Sequence, residues 1–317
     1  MFKCSKSSKW LLAATMVLTG LVTSAANAAD LVKPFILANG ASGDVSSVAA
    51  ATKEKLTGAG FEVVGSYSPY SGVENIVFTS SELKSAATKS ERGGYGAAMR
   101  AAVTKVGDGI QVTYTNPIYW ANAYRMSSNL DDVAAKLETA LGKQKQYGTG
   151  EKELTAEDLR GYHYTFMMEY FDDPSSLASH DDHADAVKVV EANLASGKAG
   201  TSQVYKISLG KDTEGNEMTL IGVALGGTGE ADCSGDKYIM DKIDKSEIRH
   251  SAHLPYEMLV YGDEVEALFG RFRIALSWPH LPMMASETGA TFMSIMCAPG
   301  SIESALKAAA GGSDDDI

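Results

Sequence analysis

Cysteine is scarce in this chain: Cys4, Cys233 and Cys297 are the three among 317 residues. That excludes a disulfide-dense scaffold and a four-cysteine zinc module, and no C-x-x-C pair is present for thiol redox work. Basic residues are in deficit, with 28 Lys+Arg against 40 Asp+Glu and a formal charge of −12. A surface of that sign repels phosphate backbones and anionic headgroups, which argues against nucleic acid or a membrane surface as partner. Catalytic signatures are missing as well. There is no G-x-S-x-G elbow, H-E-x-x-H or P-loop, and Gly93-Gly94-Tyr95-Gly96 is only a loose likeness of a phosphate-binding loop. No catalytic residue and no cofactor is assigned on this pattern. Beyond Val22, no apolar run approaches the roughly 20 residues a bilayer needs, so membrane insertion of the mature chain is not expected.

The N-terminus carries the pattern of a secretory signal. Lys3, Lys6 and Lys9 precede an apolar run from Trp10 to Val22, and Ala26-Asn27-Ala28 offers the small residues that a signal peptidase admits. The run is short for a permanent anchor. Cleavage is expected after Ala28, placing the protein in the periplasm or outside the cell. The mature chain then has 289 residues (317 less 28), and losing three lysines takes its charge from −12 to −15. Cys4 leaves with the signal. Cys233 and Cys297 remain, either as a disulfide or as two separate buried thiols; Ile295-Met296-Cys297 is an apolar, strand-like run.

Periodicity then divides the chain. Residues 30–142 form one α+β domain, 143–153 a linker without periodic apolar signal, 154–311 a second α+β domain, and 312–317 a frayed acidic tail. In the first, Asp44 caps a helix with Val48, Ala49 and Leu56 on one face, ending at Gly58. Strands follow at 61–64 and 75–78, a helix over 95–106, a strand at 110–114, a helix opening on Asn116-Pro117, and another over 130–141. In the second, a strand over 162–170 precedes a helix capped by Ser179. Hairpins follow at 204–225, around Glu214-Gly215-Asn216, and at 257–276, with a bulge expected at Gly270. A strand at 291–297 leads to a final helix over 301–310. Each half has antiparallel strands with a helix near either end. The fold class is therefore α+β, two antiparallel-sheet and helix domains, with a distant duplication as one explanation.

Several residue groups have the chemistry of a site. His180 and His183, with Asp182, are a divalent-metal ligand set if the helix presents them on one face; Ser179 with Asp182 equally resembles a capping box. His280 with Met283, Met284, Met293, Met296 and Cys297 offers soft ligands suited to copper(I), or else core packing, in which Met293 and Met296 have opposite parity along a strand. Arg271 and Arg273, two apart, would clamp a small anion or pair with Glu257 or Glu264. His253 would serve as an acid/base group, with no partner fixed for it. Tyr119, Trp120 and Tyr124 would line a ligand pocket or pack between the domains.

Gly60-Phe61-Glu62-Val63-Val64, Thr115-Asn116-Pro117 and Leu254-Pro255-Tyr256-Glu257-Met258-Leu259-Val260-Tyr261 resemble motifs of a bacterial domain-of-unknown-function family, the DUF302 type, whose fold is TBP-like. The motifs are short, cover a small part of the chain and fall in both halves. The resemblance implies an α+β sandwich, in one spread-out copy or two divergent ones, and brings no catalytic residues. The expected function is binding of a small molecule or a protein partner without catalysis. The alternative is a metal-dependent enzyme, or a copper or zinc carrier, using His180 and His183.

Overall fold

The computed structural model describes residues 1–2, 30–229 and 232–312. The expected signal (all but Met1 and Phe2) and the acidic tail (all but Gly312) therefore lie outside the described residues. In chain order the first half contains β1 (Phe35–Leu37), α1 (Val45–Gly58), β2 (Glu62–Tyr67), β3 (Val73–Thr79), α2 (Ser81–Ala87), β4 (Met99–Val106), β5 (Gly109–Thr115), α3 (Pro117–Ala123), α4 (Asp131–Leu141) and β6 (Lys145–Tyr147). After the short α5 (Ala156–Arg160) come β7 (Ser175–Ser179), α6 (His183–Ala195), β8 (Thr201–Lys211), β9 (Glu217–Leu225), α7 (Asp236–Ile243), β10 (Tyr256–Tyr261), β11 (Glu264–Ala267), α8 (Gly270–Ser277) and α9 (Ala298–Ala310). The architecture is α+β, with two antiparallel sheets. Among the described residues no helix is long and apolar enough to cross a membrane.

The sheets share one topology. Strand order is β2-β3-β4-β5-β1-β6 in the first and, read from the other edge, β8-β9-β10-β11-β7 in the second. Leaving β6 and the short α5 aside, each half runs strand, helix, two strands, helix, two strands, two helices, and a 3₁₀ turn precedes both β4 and β10. Even the irregularities correspond: pairing skips Val64 in β2 and Val204 in β8. Those two edge strands approach each other where the halves meet. A Cβ on Gly65 would lie 2.4 Å from the Val204 carbonyl oxygen, so only glycine allows this approach. Further ties cross the junction: Asn75 donates to the carbonyls of Ser251 (2.9 Å) and Leu254 (3.2 Å), and Tyr147 donates to that of Arg249 (2.7 Å). Buried side chains from both halves form one continuous core.

Local chemistry explains the elements that follow expectation. The Asp44 carboxylate accepts the Ser47 N–H at 2.8 Å, and Val48, Ala49, Thr52 and Leu56 form the buried stripe of α1. Asp212 accepts the N–H groups of Glu214 and Asn216, both at 2.9 Å, and Gly215 at φ +93° completes the β8–β9 turn. Other expectations need correction. Residues 99–106 form strand β4, not part of a helix, because residues 99–104 are buried on both sheet faces and alternation is lost. Residues 162–170 form no strand: Tyr162 donates to the Ala275 carbonyl at 3.1 Å and Tyr164 to that of Leu281, while Phe166 and Met167 are exposed. The phase change at Gly270 marks the onset of α8 rather than a bulge, and the irregularity lies earlier, between Val265 and Glu266 opposite β7. Residues 291–297 hold a 3₁₀ turn, where Ser294 and Thr291 satisfy one another's backbone at 2.7 and 3.1 Å. The linker supplies β6 to the first sheet.

The close approach at Gly65 has a measurable consequence. Gly65→Ala is expected to cost about 1–3 kcal/mol through overpacking against backbone. Gly58→Ala, at the open end of α1, should be neutral or stabilise by up to about 1 kcal/mol. Urea denaturation checks this, and equal midpoints for the two variants would contradict the packing described.

Candidate functional site

Of the residues that sequence singled out for a pocket, Tyr119, Trp120, Tyr124, Arg273 and His253 are buried in the core at the junction of the halves, and Arg271 is not among them. Arg100 of β4 donates to the Glu257 carboxylate of β10, and Tyr205 of β8 donates to the same oxygen at 3.0 Å. Arg273 of α8 lies 3.4 Å from the other Glu257 oxygen and donates to Tyr124 Oη (3.1 Å) and to the carbonyls of His253 (3.0 Å) and Pro255 (3.3 Å). The Trp120 ring lies against both cations, its centroid 5.8 Å from Arg100 Cζ and 5.2 Å from Arg273 Cζ. All of these side chains are fully buried. Burial works against the Arg100 charge, but the Glu257 carboxylate together with Tyr124 and Tyr205 outweighs it, so the guanidinium stays protonated.

The register gives this cluster a symmetry. Arg100 faces Val77, which faces Gly65; Glu257 faces Gly222, which faces Tyr205. Arg100 and Glu257 thus occupy matching places in the two sheets. Trp120 and Arg273 likewise hold the fourth positions of α3 and α8.

His253 adjoins this cluster and is also buried. Its ring nitrogens lie 2.7 Å from Ser277 Oγ and 3.0 Å from Tyr256 Oη. Burial, with the nearby Arg273 and Arg100 charges, drives its pKa well below the ordinary value, so the imidazole is neutral. A serine, histidine and tyrosine in one chain resemble a proton relay, but the histidine has no exposed surface at which substrate would meet it. His250, next along, has Nδ1 3.3 Å from Asp244, stacks on Trp278 with centroids 5.1 Å apart, and takes the edge of Phe35 at 5.2 Å. These groups serve packing.

The other sequence candidates do not converge. His180 Nε2 lies 3.0 Å from the Ala310 carbonyl; His183 has Nδ1 3.0 Å from the Gly262 carbonyl and Nε2 3.0 Å from Thr219 Oγ1. The helix begins at His183 with Asp182, not Ser179, as its cap, so His180 lies outside it and the shared helix face is absent. Among the described residues no three His, Cys, Asp or Glu side chains are placed to hold a metal ion. Arg271 pairs with Glu169 at the surface, its Nε 3.1 Å from the carboxylate. Being two apart on a helix, Arg271 and Arg273 point different ways, and no clamp forms. Cys233 and Cys297 are joined in a disulfide, with Cα atoms 5.9 Å apart.

Sequence reading missed a cleft of about 340 Å³ between the halves. One wall is Tyr70, Ser71, Thr104 and Lys105, around β3 and β4; the other is Lys237, Asp241, Asp244, Lys245 and Arg249, on and after α7. Lys237 pairs with Asp241, and Arg249 donates to the Asp244 carbonyl, while Asp244 itself holds His250. The surplus is positive, in a chain of charge −12. Only Lys237, Lys245 and Arg249 within one short stretch hinted at it, and Lys105 is far away in sequence. No family model, curated protein or solved structure matches the chain.

A buried and an exposed carboxylate give contrasting tests. Glu257→Gln leaves Arg100 and Arg273 without a counter-charge and should cost about 3–5 kcal/mol. Glu62→Gln, at an exposed pair with Lys84, should cost under about 1 kcal/mol. Similar chemical denaturation midpoints for the two would contradict this account.

Asp236, the first residue of α7, accepts from Tyr67 of β2 at 2.8 Å and from the Leu225 N–H at 3.3 Å. Burial nonetheless raises its pKa from 3.8 to about 7. The folded state then holds the proton more tightly than the unfolded chain. Its contribution is complete below pH 3.8 and is lost as pH rises through about 7. At about 1.4 kcal/mol per unit this amounts to up to about 4 kcal/mol. The stability difference between wild type and Asp236→Asn, measured by denaturation at several pH values, should move against the wild type over that window. A constant difference would refute the burial argument.

Proposed function

We propose that the protein is a non-catalytic binding protein acting outside the cytoplasm, and that its ligand is a small molecule carrying two or more negative charges. The observation that carries this reading is the cleft between the halves, where Lys105, Lys237, Lys245 and Arg249 gather in an otherwise acidic chain. A volume of about 340 Å³ suits a small polyanion. Tyr70, Ser71 and Thr104 add hydroxyls, and Lys105 and Lys245 form no ion pair among the described residues. Nothing in the cleft supplies an activated nucleophile, so binding is the chemistry the lining supports. Export is supported by the signal pattern and by the Cys233–Cys297 disulfide. The alternative of a metal carrier at His180 and His183 gains no support from a geometry in which backbone carbonyls and a hydroxyl engage their nitrogens.

The same reading takes the two halves as divergent copies of one TBP-like α+β unit. The shared strand order, the matching bulges at Val64 and Val204 and the matched placement of Arg100 and Glu257 support it. A crystal structure with a different strand order in either half would remove that support.

Binding is tested by calorimetry with inorganic pyrophosphate and citrate as probes, at low and at physiological salt. A saturable heat that weakens with salt, and that the double variant Lys105→Gln/Lys245→Gln lowers about tenfold or more, is the expected result. Absence of binding by both probes at low salt, or equal binding by the double variant, overturns the assignment of the cleft.

A further inference from the structure

Methionine is ordinarily a filler of apolar cores. Met283, Met284, Met293 and Met296 are instead 45%, 78%, 49% and 71% exposed. The parity that sets Met293 and Met296 apart in a strand disappears, because Met293–Ile295 is a 3₁₀ turn. Residues three apart eclipse in such a turn, so Met293 and Met296 share a face, and Ile295, fully buried, anchors the other. Two backbone bonds bring the remaining pair alongside: Phe292 N–H donates to the Pro282 carbonyl and Met293 N–H to the Met283 carbonyl, each at 3.0 Å.

The support beneath these side chains is firm. Phe292 is buried and packs on Tyr164 with ring centroids 4.6 Å apart. Ser286 donates to the Ala290 carbonyl at 2.9 Å, closing the loop between the two methionine pairs. Directly after Met296, Cys297 is tied to Cys233, which fixes the end of the turn. The disulfide also means that neither cysteine offers a thiolate, so thioethers are the free soft donors of this face. Their chemistry selects the ligand. A thioether is uncharged and polarizable and carries no proton in the acid or neutral range; it is a poor donor to magnesium, calcium or zinc and a good one to copper(I).

We propose that Met283, Met284, Met293 and Met296 form a surface site for copper(I), bound by three or four thioether sulfurs. The site is separate from the cleft, and it does not rest on the proposed binding of an anion there. Occupation requires no redox step, since the metal arrives and leaves as copper(I).

The test is an anaerobic titration of the full mature chain with copper(I) against a chromophoric copper(I) chelator, with silver(I) as a redox-inert second probe. One equivalent should be withdrawn from the chelator, with an affinity independent of pH between about 5 and 8, since no ligand is a histidine. The variant with all four methionines changed to leucine keeps the apolar volume; it should lose about 100-fold or more in affinity with its melting temperature nearly unchanged. In methyl-labelled protein, the four methionine signals of this loop should shift with silver(I), while those of buried Met99, Met218 and Met258 stay. Failure of the wild type to compete, undiminished binding by the leucine variant, or shifts at other methionines alone would each overturn the proposal. So would binding that falls below about pH 6.5 and is abolished by His180→Asn/His183→Asn, which would assign the metal to the imidazoles.

Discussion

The junction between the halves depends on one arrangement: two guanidiniums, Arg100 and Arg273, sharing the carboxylate of Glu257 away from water. Such a group depends on its charges staying together and on hydrogen bonds to its other polar atoms. Tyr205, Tyr124 and the carbonyls of His253 and Pro255 supply part of those bonds, while Arg100 Nε, Arg273 Nε and Glu257 Oε2 have no hydrogen-bond partner among the described residues; Trp120 presents its ring to the surplus positive charge. The partners come from β4, α3, β8, β10 and α8, so both halves are fixed relative to each other by the same requirement. The neutral state of His253 follows from burial first, with the two cations beside it opposing a third charge.

The matched positions of Arg100 and Glu257 bear on why the halves look so unlike in sequence. Two identical residues there would bury like charges against each other, and the same holds for two arginines in place of Trp120 and Arg273. Size behaves as charge does. Gly65 and Tyr205 are matched, and Tyr205 needs Gly222 opposite, since a Cβ there would fall 2.0 Å from its ring. A shared topology packed about this junction therefore demands different residues at equivalent places. At these positions the contact requires the two halves to differ.

Legibility in the sequence followed the same division. Elements set by local chemistry were readable: the Asp44 cap, the Asn116-Pro117 entry to α3, the Glu214-Gly215-Asn216 turn and the stop at Gly142. Elements set by burial on every side were not. Both β4 and α8 lack a polar face, so periodicity misassigned the first as a helix and the second as a strand. The site residues fared similarly. Tyr119, Trp120, Tyr124, Arg273 and His253 were recognised as unusual, and sequence left packing between the domains open for the three aromatics. What it lacked was the register that sets Arg100 beside Glu257. The cleft was hidden because its walls come from segments remote in the chain; the methionines were named, but strand parity set Met293 and Met296 apart where a 3₁₀ turn stands.

Helix α7 is where these features meet. Its inner face carries Asp236 to Tyr67 of the first half; its outer face carries Lys237 and Asp241 along the cleft; its C-terminal cap, Asp244, holds His250. On the proposed reading, an anion bridging Lys105 and Lys245 bears on the same helix whose first turn responds to protonation of Asp236. Linkage then works both ways: if ligand binding tightens the contact of α7 with β2, protonation of Asp236 raises ligand affinity by the factor by which ligand raises proton affinity. Both lysines are solvent-exposed, so their attraction for the anion weakens with salt. On that reading the coupling would run through α7, whose Ile239, Met240 and Ile243 are buried in the shared core.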